Sequence, residues 1–118
     1  MIGTKKYLQP KDMLLNAVHD LAELQKGKTE LCDTSHGLVN LTVTMYGEEI
    51  NYEFSVADIG SNRSEVNITL NGEHPNKKRL IYNEFALLDY VMIDRARADL
   101  TEVILLETYS NKKSCEEM

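Results

Sequence analysis

In three runs between Val39 and Leu70 apolar residues recur at every second position, and no other feature of this chain restricts its fold so tightly. Val39, Leu41, Val43 and Met45 alternate with Asn40, Thr42, Thr44 and Tyr46. Ile50, Tyr52, Phe54 and Val56 alternate with Asn51, Glu53 and Ser55, and Val66, Ile68 and Leu70 follow in the same rhythm. A period of two sends successive side chains to opposite faces of a strand, so each run is apolar on one side and polar on the other. Gly47 separates the first two runs and suits a two-residue hairpin loop. Taken as the first residue of that loop, it closes Tyr46 against Glu49. Met45 then faces Ile50, Val43 faces Tyr52, and both apolar sets share one face. Asp58 to Arg63 make the second connection. The expectation is a three-stranded antiparallel meander with one face to be covered.

Two helical segments supply the cover. From Pro10 to Lys26, the residues Met13, Leu14, Ala17, Val18, Leu21 and Leu24 lie on one side, with Gly27 placed to cap the end. A second helix is expected from Lys77 to about Ala98, with Asn76 as its N-cap. Its central stripe is Ile81, Phe85, Leu88 and Met92, widened by Leu80, Leu87 and Val91. A second stripe of Tyr82, Ala86, Tyr90 and Ile93 lies roughly 120–140° away at ~100° per residue. A helix apolar on two sides usually packs on both, here against the first helix or a partner subunit. One helix from Lys77 to Tyr109 would be about 50 Å long and overhang strands of about 27 Å, so 103–109 is expected to form a further strand.

The fold class is therefore α+β: an N-terminal helix, a three-stranded antiparallel meander, a long second helix and a C-terminal strand, in one domain over 1–118. Residues 1–9 read as a polar, flexible lead-in, 27–37 as a loop or irregular edge, and 110–118 as a flexible tail. In size, acidity and the order helix–three strands–helix, the chain resembles secretion-chaperone-like folds. That resemblance implies a dimer that binds other proteins without catalysis.

Charge and composition exclude several functions. Nineteen acidic against thirteen basic residues give a net charge of −6, a poor basis for binding nucleic acid, where affinity comes from Lys and Arg displacing counterions. The polar sheet face offers no aromatic platform for stacking bases. No apolar run reaches the ~20 residues of a transmembrane helix and no signal peptide opens the chain, so a cytoplasmic, membrane-free protein with reduced Cys32 and Cys115 is expected.

Few residues suggest chemistry. Cys32-Asp33-Thr34-Ser35-His36 is the densest reactive group, in which His36 would have to fold back to activate the thiol. A closed zinc site needs four ligands at short spacings, and no C-x-x-C occurs, so no metal or cofactor is expected. No glycine-rich phosphate loop is present. Glu84 and Arg95 fall inside the main apolar arc of the second helix, where a charge must reach the rim or meet a partner. These features favour a small acidic non-catalytic interaction module, homodimeric through Tyr82, Ala86, Tyr90 and Ile93. The alternative is a small-molecule binder or modest enzyme whose pocket, between sheet and second helix, uses Tyr52, Phe54, Phe85 and Arg95.

Overall fold

The structure, a computed structural model, describes residues 2–108, with side chains from 3 to 94. The chain runs β1 (Ile2–Tyr7), α1 (Lys11–Leu24), β2 (Lys28–Asp33), β3 (Leu38–Met45), β4 (Glu48–Gly60), β5 (Arg63–Asn71) and α2 (Lys77–Thr108). All five strands form one antiparallel sheet in the order β1-β5-β4-β3-β2, and both helices pack on its apolar face. The class is α+β, and the expected meander is the central three strands of the five.

The alternating residues form the core as their period requires. Val39, Leu41, Val43, Ile50, Tyr52, Phe54, Val56, Val66, Ile68 and Leu70 are buried. They meet Leu14, Leu15, Ala17, Val18, Leu21 and Ala22 of α1, and Leu80, Ile81, Leu88 and Val91 of α2. The opposite sheet face carries an amide ladder: Asn71 Nδ2 donates to Asn51 Oδ1 at 2.6 Å, and Asn51 and Asn40 exchange hydrogen bonds at 2.7 and 3.0 Å.

Several expectations are corrected. Residues 2–7 form an edge strand paired with β5, with Ile2 opposite Thr69 and Tyr7 opposite Ser64. Thr4, Lys5 and Lys6 hid it, because an edge strand tolerates charge and carries little apolar periodicity. Of the two alternatives for 27–37, loop or irregular edge, residues 28–33 take the second, forming the other edge strand with a register irregularity between Thr29 and Leu31. The secretion-chaperone-like order therefore does not hold.

The first hairpin is shifted by two residues from the expected register: Val43 faces Ile50, Leu41 faces Tyr52 and Val39 faces Phe54. The loop residues are Tyr46 and Gly47, at φ of 53° and 79°. Two successive left-handed residues make a type I′ turn, and glycine is favoured at its second position because a Cβ there is strained. A shift of two keeps every side chain on its expected face, so burial could not reveal the error.

At the start of α1, Pro10 is the N-cap rather than a first-turn residue. The buried side of α1 includes Leu15 and Ala22, while Met13 and Leu24 are exposed. At its other end Lys26, at φ 54°, takes the left-handed position expected of Gly27. Gly27 serves close packing instead, since a Cβ there would lie 2.8 Å from Leu41 Cδ1 and 3.0 Å from the Thr42 carbonyl.

The expected strand at 103–109 is helix as far as Thr108; Tyr109 and the expected tail at 110–118 lie outside the described residues. α2 runs 32 residues, about 48 Å at 1.5 Å per residue. No Gly or Pro interrupts Lys77–Thr108, so each added residue gains a backbone hydrogen bond at small entropic cost, whether or not the sheet extends beneath it. Among the described residues no helix is long and apolar enough to cross a membrane.

Candidate interaction face

Gly3 sets the position of α2. A Cβ on Gly3 would lie 2.6 Å from Ile81 Cγ2 and 2.8 Å from Phe85 Cε2, so its absence lets the helix settle on β1. Asp89 fastens the same contact one turn on. It accepts a 2.7 Å hydrogen bond from the Tyr7 hydroxyl and pairs with the Lys5 ammonium. The central stripe then faces inward: Ile81, Leu88 and Val91 are buried, with Phe85, Leu87 and Met92 packed at the margin.

The inward face also carries Glu84, which is 0% exposed. Gln25 Nε2, just past α1, donates to Glu84 Oε1 at 3.0 Å, while Oε2 has no hydrogen-bond partner among the described residues. Burial pushes the Glu84 carboxyl up to about 7, with the Gln25 hydrogen bond opposing the shift. The fully buried Tyr52 hydroxyl is likewise without a partner. Burial first, and the Glu84 charge second, raise its pKa above the ordinary tyrosine value. Of the charged pair singled out in the sequence, Glu84 is thus a core group. The Arg95 side chain lies outside the described residues.

The second stripe faces outward. Tyr82, Tyr90 and Ile93 are 71%, 60% and 58% exposed, and Ala86 between them is exposed too. Helix α1 packs against α2 but leaves these four residues open.

Among the described residues, three shallow grooves border the stripe. One of about 410 Å³ lies at the start of α2, between Pro75, Asn76, Lys78, Arg79 and Tyr82. Another of about 340 Å³ lies between the helices and is lined by Asp20, Glu23, Leu24, Tyr90, Val91 and Asp94. The third, about 310 Å³, runs beside β1 between Lys5, Tyr82, Phe85, Ala86 and Asp89. Among the described residues, one end of the stripe therefore carries basic side chains and the other acidic ones.

The aromatic residues expected to line a pocket separate. Tyr52 and Phe54 are wholly buried, their rings 6.3 Å apart and tilted by 56°, whereas Phe85 lines the groove beside β1. The reactive group also divides. Cys32 Sγ lies 3.5 Å from His19 Nε2 of α1, and His36 Nδ1 is 2.8 Å from Asp33 Oδ2. Hydrogen bonds from Ser35 and His36 lower the pKa of Asp33. Sequence reasoning missed the first pair because His19 and Cys32 meet only when β2 folds back beside α1. Among the described residues no group of three or more His, Cys, Asp or Glu side chains is arranged to hold a metal ion.

No family model and no curated protein matches the chain. Among solved structures, Ara h 8.0201 matches with a TM-score of 0.47 and 13% identity over 78% of this chain and 96% of that one. The Zhui aromatase/cyclase from Streptomyces sp. R1128 matches with a TM-score of 0.35 and 14% identity over 97% of this chain and 96% of that one. Fits of this looseness carry no argument about what this chain binds or does.

Proposed function

We propose that the protein is a non-catalytic interaction module, homodimeric through the outward face of α2. The observation that carries this reading is the exposure of Tyr82, Tyr90 and Ile93 in one line on a helix whose other side is already packed. Aromatic residues concentrate binding energy at protein interfaces, and apolar residues aligned on one helix face suit a partner better than water. The orphaned polar atoms of Glu84 and Tyr52 lie in the core, away from any groove described above, which argues against a catalytic role for them.

Light scattering over a concentration series tests the reading. A mass of about 27 kDa, twice that of the 13.5 kDa chain, is expected for the wild type. Tyr82→Glu combined with Ile93→Glu should give a folded monomer. A double variant that remains dimeric would remove this face from the contact.

A second reading rests on the groove beside β1, where Phe85 and Ala86 supply apolar wall and Lys5 and Asp89 supply polar groups. In that reading a small amphipathic molecule binds between β1 and α2, with Phe85 as its apolar anchor and Lys5 as its polar one. Phe85→Ala and Lys5→Ala should each abolish a ligand-induced thermal shift. An unchanged shift in both would exclude the site.

A further inference from the structure

We infer that the partner seated on the outward face of α2 is a second copy of this chain in antiparallel orientation, crossing at Ala86 with Arg79 of each copy against Asp94 of the other. The inference rests on the interaction-module reading and adds the occupant and its direction.

Charge placement carries it. Among the described residues, the groove at the Tyr82 end of the stripe is lined by Lys78 and Arg79, and the groove at the Tyr90 end carries Glu23 and Asp94. A parallel pair would set basic end on basic end and acidic on acidic, whereas an antiparallel pair sets each basic end on an acidic one. The stripe has matching symmetry about its small central residue, with Tyr82 four residues before Ala86 and Tyr90 four after. A two-fold axis at Ala86 therefore brings Tyr82 of one copy level with Tyr90 of the other, as an isologous interface requires.

The heights of the charges agree. Arg79 lies about 10.5 Å to one side of Ala86 along the helix and Asp94 about 12 Å to the other. They turn from the Ala86 direction by about 20° and 80° in the same sense, and a two-fold perpendicular to the helices keeps both on one side of the crossing. Both side chains are exposed, and neither forms a salt bridge among the described residues. Ala86 at the crossing offers no bulk to hold the backbones apart.

A charge swap tests the orientation. Arg79→Glu sets a carboxylate against Asp94 of the other copy, and Asp94→Arg sets a guanidinium against its Arg79. Sedimentation equilibrium should show each variant dimerising at least roughly tenfold more weakly than the wild type, because like charges are juxtaposed. An equimolar mixture should recover heterodimer. The carboxylate introduced by Arg79→Glu in one variant then meets the guanidinium introduced by Asp94→Arg in the other, while the native Arg79–Asp94 contact persists on the other side. A mixture no tighter than the variants alone, while Tyr82→Glu with Ile93→Glu still yields monomer, would overturn the antiparallel pairing and leave the interaction face standing. A wild type that stays near 13.5 kDa throughout would overturn both the pairing and the homodimer. Circular dichroism of each variant separates lost association from lost folding.

Discussion

The Tyr7 hydroxyl donates to Asp89 Oδ1 at 2.7 Å across 82 residues of sequence, joining the first strand to the middle of the last helix. Lys5 pairs with the other Asp89 oxygen and lies 5.3 Å from the centre of the Tyr7 ring. The tyrosine bond is partly buried, so it should outweigh the exposed Lys5 pair. Asp89→Ala and Tyr7→Phe should each cost about 1–2 kcal/mol, and the double variant should cost less than their sum. Urea melts of the four proteins measure that coupling, and additive losses would show that the two residues do not act together.

Glu84 makes stability depend on pH. Its folded value of about 7 stands above the ordinary 4.5, so folding favours the protonated carboxyl. That contribution is complete below about pH 4.5 and is lost as pH rises through about 7. A rise of that size corresponds to about 3 kcal/mol at most. Glu84→Gln keeps a hydrogen-bonding side chain without the charge, and should be more stable than the wild type at pH 8 and close to it at pH 5. Equal differences at the two pH values would exclude the carboxyl as the cause.

Tyr52 holds a buried hydroxyl that has no hydrogen-bond partner among the described residues. Tyr52→Phe removes that group and keeps the ring that packs on Phe54. Stability should stay level or rise by about 1 kcal/mol, since a desolvated hydroxyl is relieved and no hydrogen bond is lost. A thermal melt decides it, and a clear loss would mean that the hydroxyl has a partner in solution.

Gly3 is a test of helix seating. Gly3→Ala places a methyl group 2.6 Å from Ile81, and α2 must shift or Ile81 must leave its rotamer. The cost should be about 1–3 kcal/mol. Faster amide exchange in β1 than in β4 would accompany it, and unchanged exchange throughout would contradict the seating role.

Tyr46 occupies a left-handed turn position and is fully exposed. Tyr46→Asn suits a type I′ turn better and removes no packing, so stability should rise by about 0.5 kcal/mol. A lower melting temperature would count against the observed register of the first hairpin.

How much of this was legible in the sequence follows from the range of the interactions involved. Alternation from Val39 to Leu70 and the stripes of the two helices each depend on neighbours a few residues away, and they correctly announced the central strands, both helices and most of the buried residues. The second stripe of α2 was legible for the same reason, but whether it meets α1 or solvent was not. Strand β1 was not legible, and β2 only as one of two alternatives, because both draw their structure from pairing with β5 and β3 rather than from their own patterns. The hairpin register depended on which turn residue takes a positive φ, a choice that leaves apolar periodicity unchanged. The end of α2 reads equally as strand or helix while its apolar run is considered alone.

The local order of apolar and polar residues by itself determined an α+β chain with a one-sided sheet and a two-sided helix, since periodicity is a property of adjacent residues. Tertiary structure alone decided that Glu84 is buried beside Gln25, that Cys32 meets His19 rather than His36, and that α1 leaves Tyr82, Ala86, Tyr90 and Ile93 open. Each of those outcomes depends on where distant segments meet after the helices settle on the sheet, and the spacing of residues along the chain carries no direct measure of that distance.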